Sequence, residues 1–260
     1  MFVKLSVVAG LALALMSGVA SAETIKVGVT PGPHAQILEK VKEVAAADGL
    51  DIEILEFSDY VVPNQALNDG ELDANSFQHK PYLDNQIADR KYEIVDVAWT
   101  VNFPMGIYSN KVKSIDELPD GATIGIPNDP TNGGRALLIL ADGGFIKLDA
   151  EKGLKVGPTD VTENPKNFNF IELDAAQLPR SLDDTDASAV NTNYALEAGL
   201  DPDKDPILKE GAKAPYVNLI AVRTADKDAP WVAKLVNAYH TPEVKAFVEE
   251  TFKGSVVTAW

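Results

Sequence analysis

Apolar and polar residues follow two periodicities along this chain, and they predict strands alternating with helices. Residues 24–30 (TIKVGVT) alternate apolar and polar side chains, which is typical of a strand. Residues 34–47 instead carry Ile37, Val41 and Val44 at helical spacing. The same criteria predict further strands at residues 50–57, 72–77, 95–103, 106–108, 123–126, 168–173, 187–190 and 216–222. They predict further helices at residues 63–67, 81–89, 130–140, 175–182, 194–198, 230–239 and 242–252.

Because this strand–helix alternation occurs twice, it predicts an α/β protein with two domains. The two long extended runs, at residues 95–108 and 216–222, contain few turn signals. We interpret them as the segments that cross between the domains.

The first 22 residues predict a cleavable signal peptide. Lys4 supplies the positive charge, residues 5–16 form an apolar segment, and Ala20-Ser21-Ala22 is a small-residue cleavage site. The apolar segment is shorter than the roughly 20 residues that span a bilayer, although a transient membrane anchor is an alternative. We expect export to the bacterial periplasm, with a mature chain that begins at Glu23.

The absence of cysteine predicts an exported protein without disulfides and without a lipid anchor on an N-terminal cysteine. The net charge is −16, and removal of Lys4 with the signal would make it −17. Such a charge argues against nucleic acid and anionic membrane surfaces as partners.

A strand–loop–helix junction around Arg135 is the first candidate site. The strand ends at Pro127, Asp129 can cap the next helix, and Pro130 suits its first position. Gly133-Gly134 leave the first turn without side chains. Because helical side chains lean toward the N-terminus, Arg135 is predicted to reach back over open backbone donors and hold a small anion, most simply a carboxylate. The alternative is an ordinary arginine on a helix surface.

Aromatic side chains near strand ends form the second candidate site. Phe77 and His79 would face the same side of an extended segment, Tyr82 follows in the next helix, and Tyr60 ends another strand of the same half. Together they could line an apolar slot. Taken singly, Phe77 and Tyr82 also suit a hydrophobic core, and His79 also suits a structural role.

Asn191, Asn193 and Asn218 also lie at predicted strand ends. An amide both donates and accepts hydrogen bonds, so these residues could bind an amino group and a carboxylate together. The alternative is that they are ordinary turn residues.

No enzyme signature is present in the sequence. His34, His79 and His240 are far apart and form no metal-ligand pattern, and no nucleophile elbow or phosphate-binding loop follows a strand. We therefore expect no catalysis, no metal and no cofactor.

Several motifs, in order, resemble the methionine-binding proteins of ABC importers, the NlpA/MetQ lipoprotein family. They are residues 57–67 (FSDYVVPNQAL), 70–75 (GELDAN), 77–83 (FQHKPYL), 104–109 (PMGIYS), 126–132 (IPNDPTN), 135–137 (RAL), 175–182 (AAQLPRSL), 191–195 (NTNYA) and 215–218 (PYVN). The resemblance runs from residue 24 to residue 260. It departs from the family at Ala22-Glu23, where most members carry a lipidated cysteine.

The resemblance implies a two-lobed periplasmic binding protein fold of type II with two interdomain crossover strands. Lobe 1 would comprise residues 23–107 and 217–260, and lobe 2 residues 108–216. The lobes would close on L- or D-methionine, and a monomer would deliver it to the permease and ATPase of an ABC importer. The alternatives are a binder of another small amino acid or a methionine-containing dipeptide, and an exported enzyme on the same scaffold.

By the same resemblance, two groups of residues would divide the ligand between them. The first group would surround the thioether side chain: Tyr60, Phe77, His79 and Tyr82. The second group would hold the polar end, with Arg135 on the carboxylate: Arg135, Asn191, Asn218 and, as a weaker inference, Asn193.

Overall fold

A computed structural model describes residues 23–211 and 214–260. The predicted signal peptide lies outside these described residues. The strands are β1 (Glu23–Val29), β2 (Leu50–Glu56), β3 (Ala74–His79), β4 (Ile94–Asn102), β5 (Gly106–Tyr108), β6 (Thr123–Pro127), β7 (Lys147–Leu148), β8 (Val161–Glu163), β9 (Asn169–Leu173), β10 (Ala187–Val190), β11 (Leu208–Lys209), β12 (Val217–Arg223) and β13 (Val257–Thr258).

Eight α-helices occur in the described part of the chain. They are α1 (Pro33–Ala46), α2 (Val62–Asn68), α3 (Lys80–Arg90), α4 (Pro130–Asp142), α5 (Leu178–Ser181), α6 (Thr192–Glu197), α7 (Pro230–Tyr239) and α8 (Pro242–Phe252). Proline occupies the first or second position of α1, α2, α3, α4, α5, α7 and α8, where its missing N–H costs no hydrogen bond. Short 3₁₀ turns occupy Ile115–Glu117, Ala150–Lys155, Pro158–Asp160, Ala175–Gln177 and Thr224–Asp226.

The strands form two large sheets. The first has the order β13-β4-β12-β3-β1-β2, and the second has the order β11-β5-β10-β6-β9. In the first sheet β1 runs parallel to β2 and β3, whereas β12 is antiparallel to β3 and β4. In the second sheet β6 runs parallel to β9 and β10. Strands β7 and β8 form a separate two-stranded hairpin.

Each large sheet is packed against its own hydrophobic core. Ile37 and Val41 of α1 are fully buried against the first sheet, and Leu137 and Leu140 of α4 are fully buried against the second. Alternate residues of β12 enter two different clusters on opposite faces of the first sheet. This explains why residues 216–222 are almost continuously apolar: both faces of the strand are covered.

The chain passes between the sheets twice, from β4 to β5 through residues 103–105 and from β11 to β12, where residues 210–211 and 214–216 are described. All of Gly106–Tyr108 pairs within the second sheet, so the predicted lobe boundary after residue 107 passes through β5. The division into two lobes stays a prediction. Most of residues 95–108 and 216–222, predicted as crossings, lies in β4 and β12, which pair with each other along the first sheet.

Other differences from the predicted elements are local. Strand β3 starts at Ala74 rather than residue 72. Just before it, the Lys26 N–H of β1 donates to the side chain of Asp73 and not to a backbone carbonyl. Residues 149–167, for which no strand or helix is predicted, contain β8 and two 3₁₀ turns. The predicted helix at 175–182 is a 3₁₀ turn followed by the four-residue α5. None of the helices in the described ranges is long and apolar enough to cross a membrane.

Candidate functional site

A cavity lies between the two sheets, and all eight predicted site residues line it. They are Tyr60, Phe77, His79, Tyr82, Arg135, Asn191, Asn193 and Asn218. Five further lining residues were not predicted as site residues: His34, Gln78, Phe103, Asn132 and Thr192. Twelve of these thirteen side chains are buried, and Tyr60 is partly buried. The cavity is therefore shielded from solvent.

The topology explains why these residues meet. The parallel strands β1, β2 and β3 end at one edge of the first sheet, and β6 and β10 end at the facing edge of the second. Phe77 and His79 form the carboxyl end of β3, and Tyr60 and Asn191 come after the ends of β2 and β10. Asn218 instead lies near the start of β12, which runs antiparallel to β3. In open α/β sheets that edge is where ligands bind.

Three aromatic rings form the apolar end of the cavity. The ring centroids of Tyr60 and Phe77 are 5.9 Å apart, and Tyr82 lies 6.1 Å from Tyr60 and 6.2 Å from Phe77. The hydroxyl of Tyr82 donates to the Tyr60 carbonyl oxygen at 2.8 Å. Burial raises the pKa of both tyrosines, so both phenols are neutral at physiological pH.

His79 is neutral, and its hydrogen bonds define one tautomer. Nδ1 accepts from the Tyr82 backbone N–H at 3.1 Å and thereby caps α3, so the ring proton lies on Nε2. The Nε2–H group donates to Asn132 Oδ1 at 3.1 Å. Burial, reinforced by the nearby positive charge of Arg135, lowers the pKa of His79 to about 3. His79 therefore contributes a neutral polar ring, held in place by two hydrogen bonds, and not a charge.

Asn132 joins the two sides of the cavity. Besides the His79 bond, its Oδ1 accepts from Asn191 Nδ2 at 2.9 Å, and its own Nδ2 donates to Asp129 Oδ2 at 2.9 Å. Asn132 belongs to one of the family-like motifs and follows a strand end, so the strand-end criterion applied to Asn191 would also have selected it.

The predicted anion site on the open N-terminus of α4 is wrong. Asp129 caps this helix through bonds from the backbone N–H groups of Thr131 and Asn132, and its carbonyl accepts from Gly133 N–H. Proline supplies no donor at the first position. These backbone donors are therefore satisfied within the protein.

Arg135 lines the cavity, and its guanidinium is held by other parts of the chain. Its Nε donates to Glu210 Oε1 at 2.7 Å, and its Nη2 donates both to Glu210 Oε2 and to the Phe103 carbonyl oxygen, the latter at 2.8 Å. The ring of Tyr216 stacks on the guanidinium, with its centroid 4.2 Å from Cζ. Glu210 therefore occupies the Nε–Nη2 edge of the guanidinium, and the Nη1 group takes no part in these bonds.

Unpaired amide atoms mark the polar end of the cavity. Asn191 Oδ1 and Asn193 Nδ2 are buried without a hydrogen-bond partner among the described residues. One is an acceptor suited to an ammonium group, and the other is a donor suited to a carboxylate. Buried polar groups are rarely left unpaired, so these atoms indicate a polar ligand.

His34 and Asn218 complete the polar side. Asn218 Nδ2 donates to His34 Nε2 at 3.0 Å, and His34 Nδ1–H donates to the Thr30 hydroxyl at 2.7 Å. Burial lowers the pKa of His34 to about 3, so this histidine is neutral as well. The His34 ring lies 4.7 Å from the ring of Phe103. Sequence reasoning missed His34, although it follows the end of β1 as Asn191 follows the end of β10.

The cavity therefore combines an aromatic end with a polar end. Among its described lining residues, Arg135 is the only one with a formal charge. No group of three or more potential metal ligands occurs among the described residues. The arrangement suits a small molecule with an uncharged side chain and both amino and carboxylate groups.

Comparison with known proteins places these features in a family. A family model described as "NlpA lipoprotein" matches residues 25–260. A Salmonella typhimurium protein named "D-methionine-binding lipoprotein MetQ" is 50% identical over 239 residues, covering 91% of this chain and 88% of that protein. A Vibrio cholerae protein named "Probable D-methionine-binding lipoprotein MetQ" is 49% identical over 237 residues, with the same two coverages.

Solved structures show the same fold. A nutrient binding protein from Burkholderia cenocepacia bound to methionine is 52% identical, with a TM-score of 0.89, and the match covers 91% of this chain and all of that chain. An ABC transporter, periplasmic substrate-binding protein from Coxiella burnetii is 45% identical, with a TM-score of 0.87 and coverages of 90% and 100%. These similarities confirm the predicted α/β periplasmic binding protein fold.

Proposed function

Because the chain belongs to the NlpA lipoprotein family, we propose that it binds methionine and delivers it to the permease and ATPase of an ABC importer. The observation that carries this proposal is the buried cavity with three aromatic rings at one end and Arg135 with unpaired amides at the other. The relatives named for methionine binding and the methionine-bound relative support the choice of ligand.

In this proposal the thioether lies among Tyr60, Phe77 and Tyr82, with the neutral His79 ring beside it. Burying such a side chain contributes about 1.5–3 kcal/mol. Sulfur–aromatic contacts contribute roughly 0.3–1.5 kcal/mol more. The rings are neutral, so a ligand side chain with a charge would be buried without a counterion.

The ligand backbone would lie at the polar end. Arg135 Nη1 and Asn193 Nδ2 would donate to the carboxylate, and Asn191 Oδ1 would accept from the ammonium group. Asn218 would border this end. A charge-assisted hydrogen bond contributes about 1.5–3 kcal/mol. A micromolar complex needs about 8 kcal/mol, so the amide contacts and lobe closure must add to the Arg135 and thioether terms.

We also propose that two lobes close on the ligand around the two connections between the sheets, from β4 to β5 and from β11 to β12. Lobe 1 would contain the first sheet and lobe 2 the second. Support comes from side chains of both sheets around one cavity, and from the hydrogen bond between His79 and Asn132 across it. A monomer is sufficient for this mechanism, because one chain supplies both walls.

A periplasmic location is the corresponding proposal for the cell. It rests on the signal-like residues 1–22 and on the family. The mature protein should begin at Glu23 and leave cells in an osmotic-shock fraction without detergent. A retained N-terminal segment by intact-mass analysis, or recovery only with membranes, would contradict this expectation.

Calorimetry on protein that has been unfolded, dialysed and refolded tests the methionine proposal. L- and D-methionine should be titrated separately, with leucine, glutamate, lysine, glycine betaine and a methionine-containing dipeptide as competitors. We expect methionine to bind more tightly than each competitor. A tighter competitor would identify another binding function, and turnover of a candidate substrate would identify an enzyme.

A further inference from the structure

Arg135 contacts both segments that connect the two sheets. Its Nη2 group donates to the carbonyl of Phe103, in the first connection, and its Nε–Nη2 edge pairs with Glu210, in the second. The second connection also supplies Tyr216, whose ring stacks on the guanidinium. One side chain of α4 therefore holds the chain at both places where it passes between the sheets.

Glu210 is built into this arrangement rather than attached to its surface. The exposed fraction of its side chain is 5%, and that of Arg135 is 3%. Glu210 Oε2 also accepts from the Met105 backbone N–H at 3.1 Å, and the Glu210 N–H donates to the Met105 carbonyl at 3.0 Å. Glu210 thus ties the second connection directly to the first.

The pairing also determines which part of Arg135 is available to a ligand. Three of the five guanidinium N–H groups are used by Glu210 and Phe103, and the two on Nη1 are not among these bonds. A salt-bridged guanidinium with one carboxylate has no net charge. A ligand that is itself neutral overall, such as a zwitterion, then enters without leaving a net buried charge.

We propose that Glu210 is a positioning residue for ligand binding: it holds Arg135 with Nη1 toward the cavity, balances its charge in favour of a zwitterion, and locks the two connections together. This inference rests on the proposed methionine function. Glu210 does not line the cavity, so it acts through Arg135 and not through contact with the ligand.

A charge-selectivity measurement tests the proposal. The parent and Glu210→Gln should each be titrated with L-methionine and with 2-hydroxy-4-(methylthio)butanoate, which replaces the ammonium group by a hydroxyl and is a net anion. In the parent, methionine should bind more tightly. In Glu210→Gln the buried pair carries a net positive charge, so the preference for methionine over the hydroxy analogue should fall by about tenfold.

Two further variants separate positioning from a structural role. Glu210→Asp keeps the charge but withdraws the carboxylate by one methylene, so it should weaken both ligands by about tenfold and keep their ratio near that of the parent. Glu172→Gln removes an exposed carboxylate of β9 and should leave both affinities and their ratio unchanged. If Glu210→Gln keeps the parent ratio, or if Glu210→Asp binds both ligands like the parent, the proposal is overturned. If Glu210→Gln does not fold, the affinities of Glu210→Asp for the two ligands decide alone.

A ligand-free measurement distinguishes failure of this inference from failure of the proposed function. Hydrogen exchange of the Met105 amide, which donates to Glu210, should be at least about tenfold faster in Glu210→Gln than in Glu172→Gln. If the parent binds no methionine but exchange responds in this way, the proposed function fails and the link between the connections stands. Unchanged exchange at Met105 would refute the link whatever the ligand.

Discussion

The hydroxyl of Tyr60 donates to Asn193 Oδ1 at 2.6 Å, although the two residues are 133 positions apart and belong to different sheets. Tyr60 lies in the loop after β2, and Asn193 lies in α6, directly after β10. Their bond closes one side of the cavity. Nearby, the Tyr194 hydroxyl donates to the Ser58 carbonyl at 3.2 Å, so the same loop contacts α6 twice.

Replacing Tyr60 by phenylalanine should weaken methionine binding without changing the aromatic wall. The variant loses the bond to Asn193 and leaves a buried amide oxygen unpaired, which costs about 1–2 kcal/mol, or on the order of tenfold in affinity. Calorimetry against the parent measures the change. Tyr92→Phe is the matched control, since the Tyr92 hydroxyl bonds to Gln65 within the first sheet's own region. Equal affinities for Tyr60→Phe and Tyr92→Phe would show that the bond across the cavity does not contribute.

Small-angle scattering should detect closure of the two lobes. Ligand contacts drawn from both sheets imply that protein freed of ligand opens around the two connections between the sheets. The radius of gyration should therefore decrease when methionine is added to refolded protein. A profile that does not change at saturating methionine would argue against a hinge at these segments, provided that calorimetry shows binding in the same sample.

Paired substitutions at Arg135 and Glu210 should separate binding from folding. Arg135→Met alone leaves the Glu210 carboxylate buried without its partner and should lower the free energy of unfolding by about 3–5 kcal/mol. The double variant Arg135→Met/Glu210→Leu replaces both charges by apolar groups and should recover most of that loss. Denaturant unfolding measures both effects.

Binding should not recover in the double variant. Methionine would lack its cationic partner at the polar end, and methionine amide should bind poorly even to the parent because it has no carboxylate. Parent-like affinity in Arg135→Met/Glu210→Leu would exclude Arg135 as the carboxylate ligand. A tighter complex with glycine betaine than with methionine would instead indicate an aromatic cage for a quaternary ammonium group.

The buried histidines should make stability depend on pH. Burial holds the pKa of His34 and His79 at about 3, whereas an unfolded histidine titrates near 6.5. Below pH 6.5 the unfolded state therefore binds more protons, and stability falls as pH decreases toward 3. Each histidine should cost about 1.4 kcal/mol per pH unit in this window.

Denaturant unfolding between pH 7.5 and 5 tests this dependence, because most carboxylates remain ionised there. His79→Gln should reduce the slope by about one histidine's share, roughly 1.4 kcal/mol per pH unit. His240→Gln is the control, since His240 bonds to the Trp99 carbonyl near the surface and has no role in the cavity. Identical slopes in the parent and His79→Gln would show that His79 titrates normally in the folded protein.

Gly134 should not tolerate a side chain, although alanine is normally preferred in a helix. A Cβ at this position would lie 2.5 Å from the Leu154 carbonyl oxygen and 3.0 Å from that of Val156. Gly134→Ala must therefore move α4 or the segment packed on it, at a cost of about 1–3 kcal/mol. Gly157→Ala is the control, because its added Cβ would have only an ordinary contact at 3.9 Å. Thermal unfolding should show a lower midpoint for Gly134→Ala alone.

The sequence by itself determined the features that depend on neighbouring residues. Alternation predicted β1 and β2, helical spacing predicted α1, and the Asp129-Pro130 pair predicted the start of α4, all of which the structure contains. These signals are local because strands and helices each place side chains with a fixed period. Eight candidate site residues could also be selected, since ligand sites in α/β sheets follow strand ends and the family motifs lie there.

Only the tertiary structure decided how those residues are used. The sequence placed Arg135 correctly on α4, but its partner Glu210 is 75 residues away in a segment without periodicity. Likewise, the amide of Asn132 is shared between His79 and Asn191, which lie 53 and 59 residues from it. Such contacts depend on which strand ends meet, and that is decided by how two apolar cores bury their surfaces. The hydrogen-bond partner of a charged or amide side chain cannot be predicted from neighbouring residues, because the bond forms through space and not along the chain.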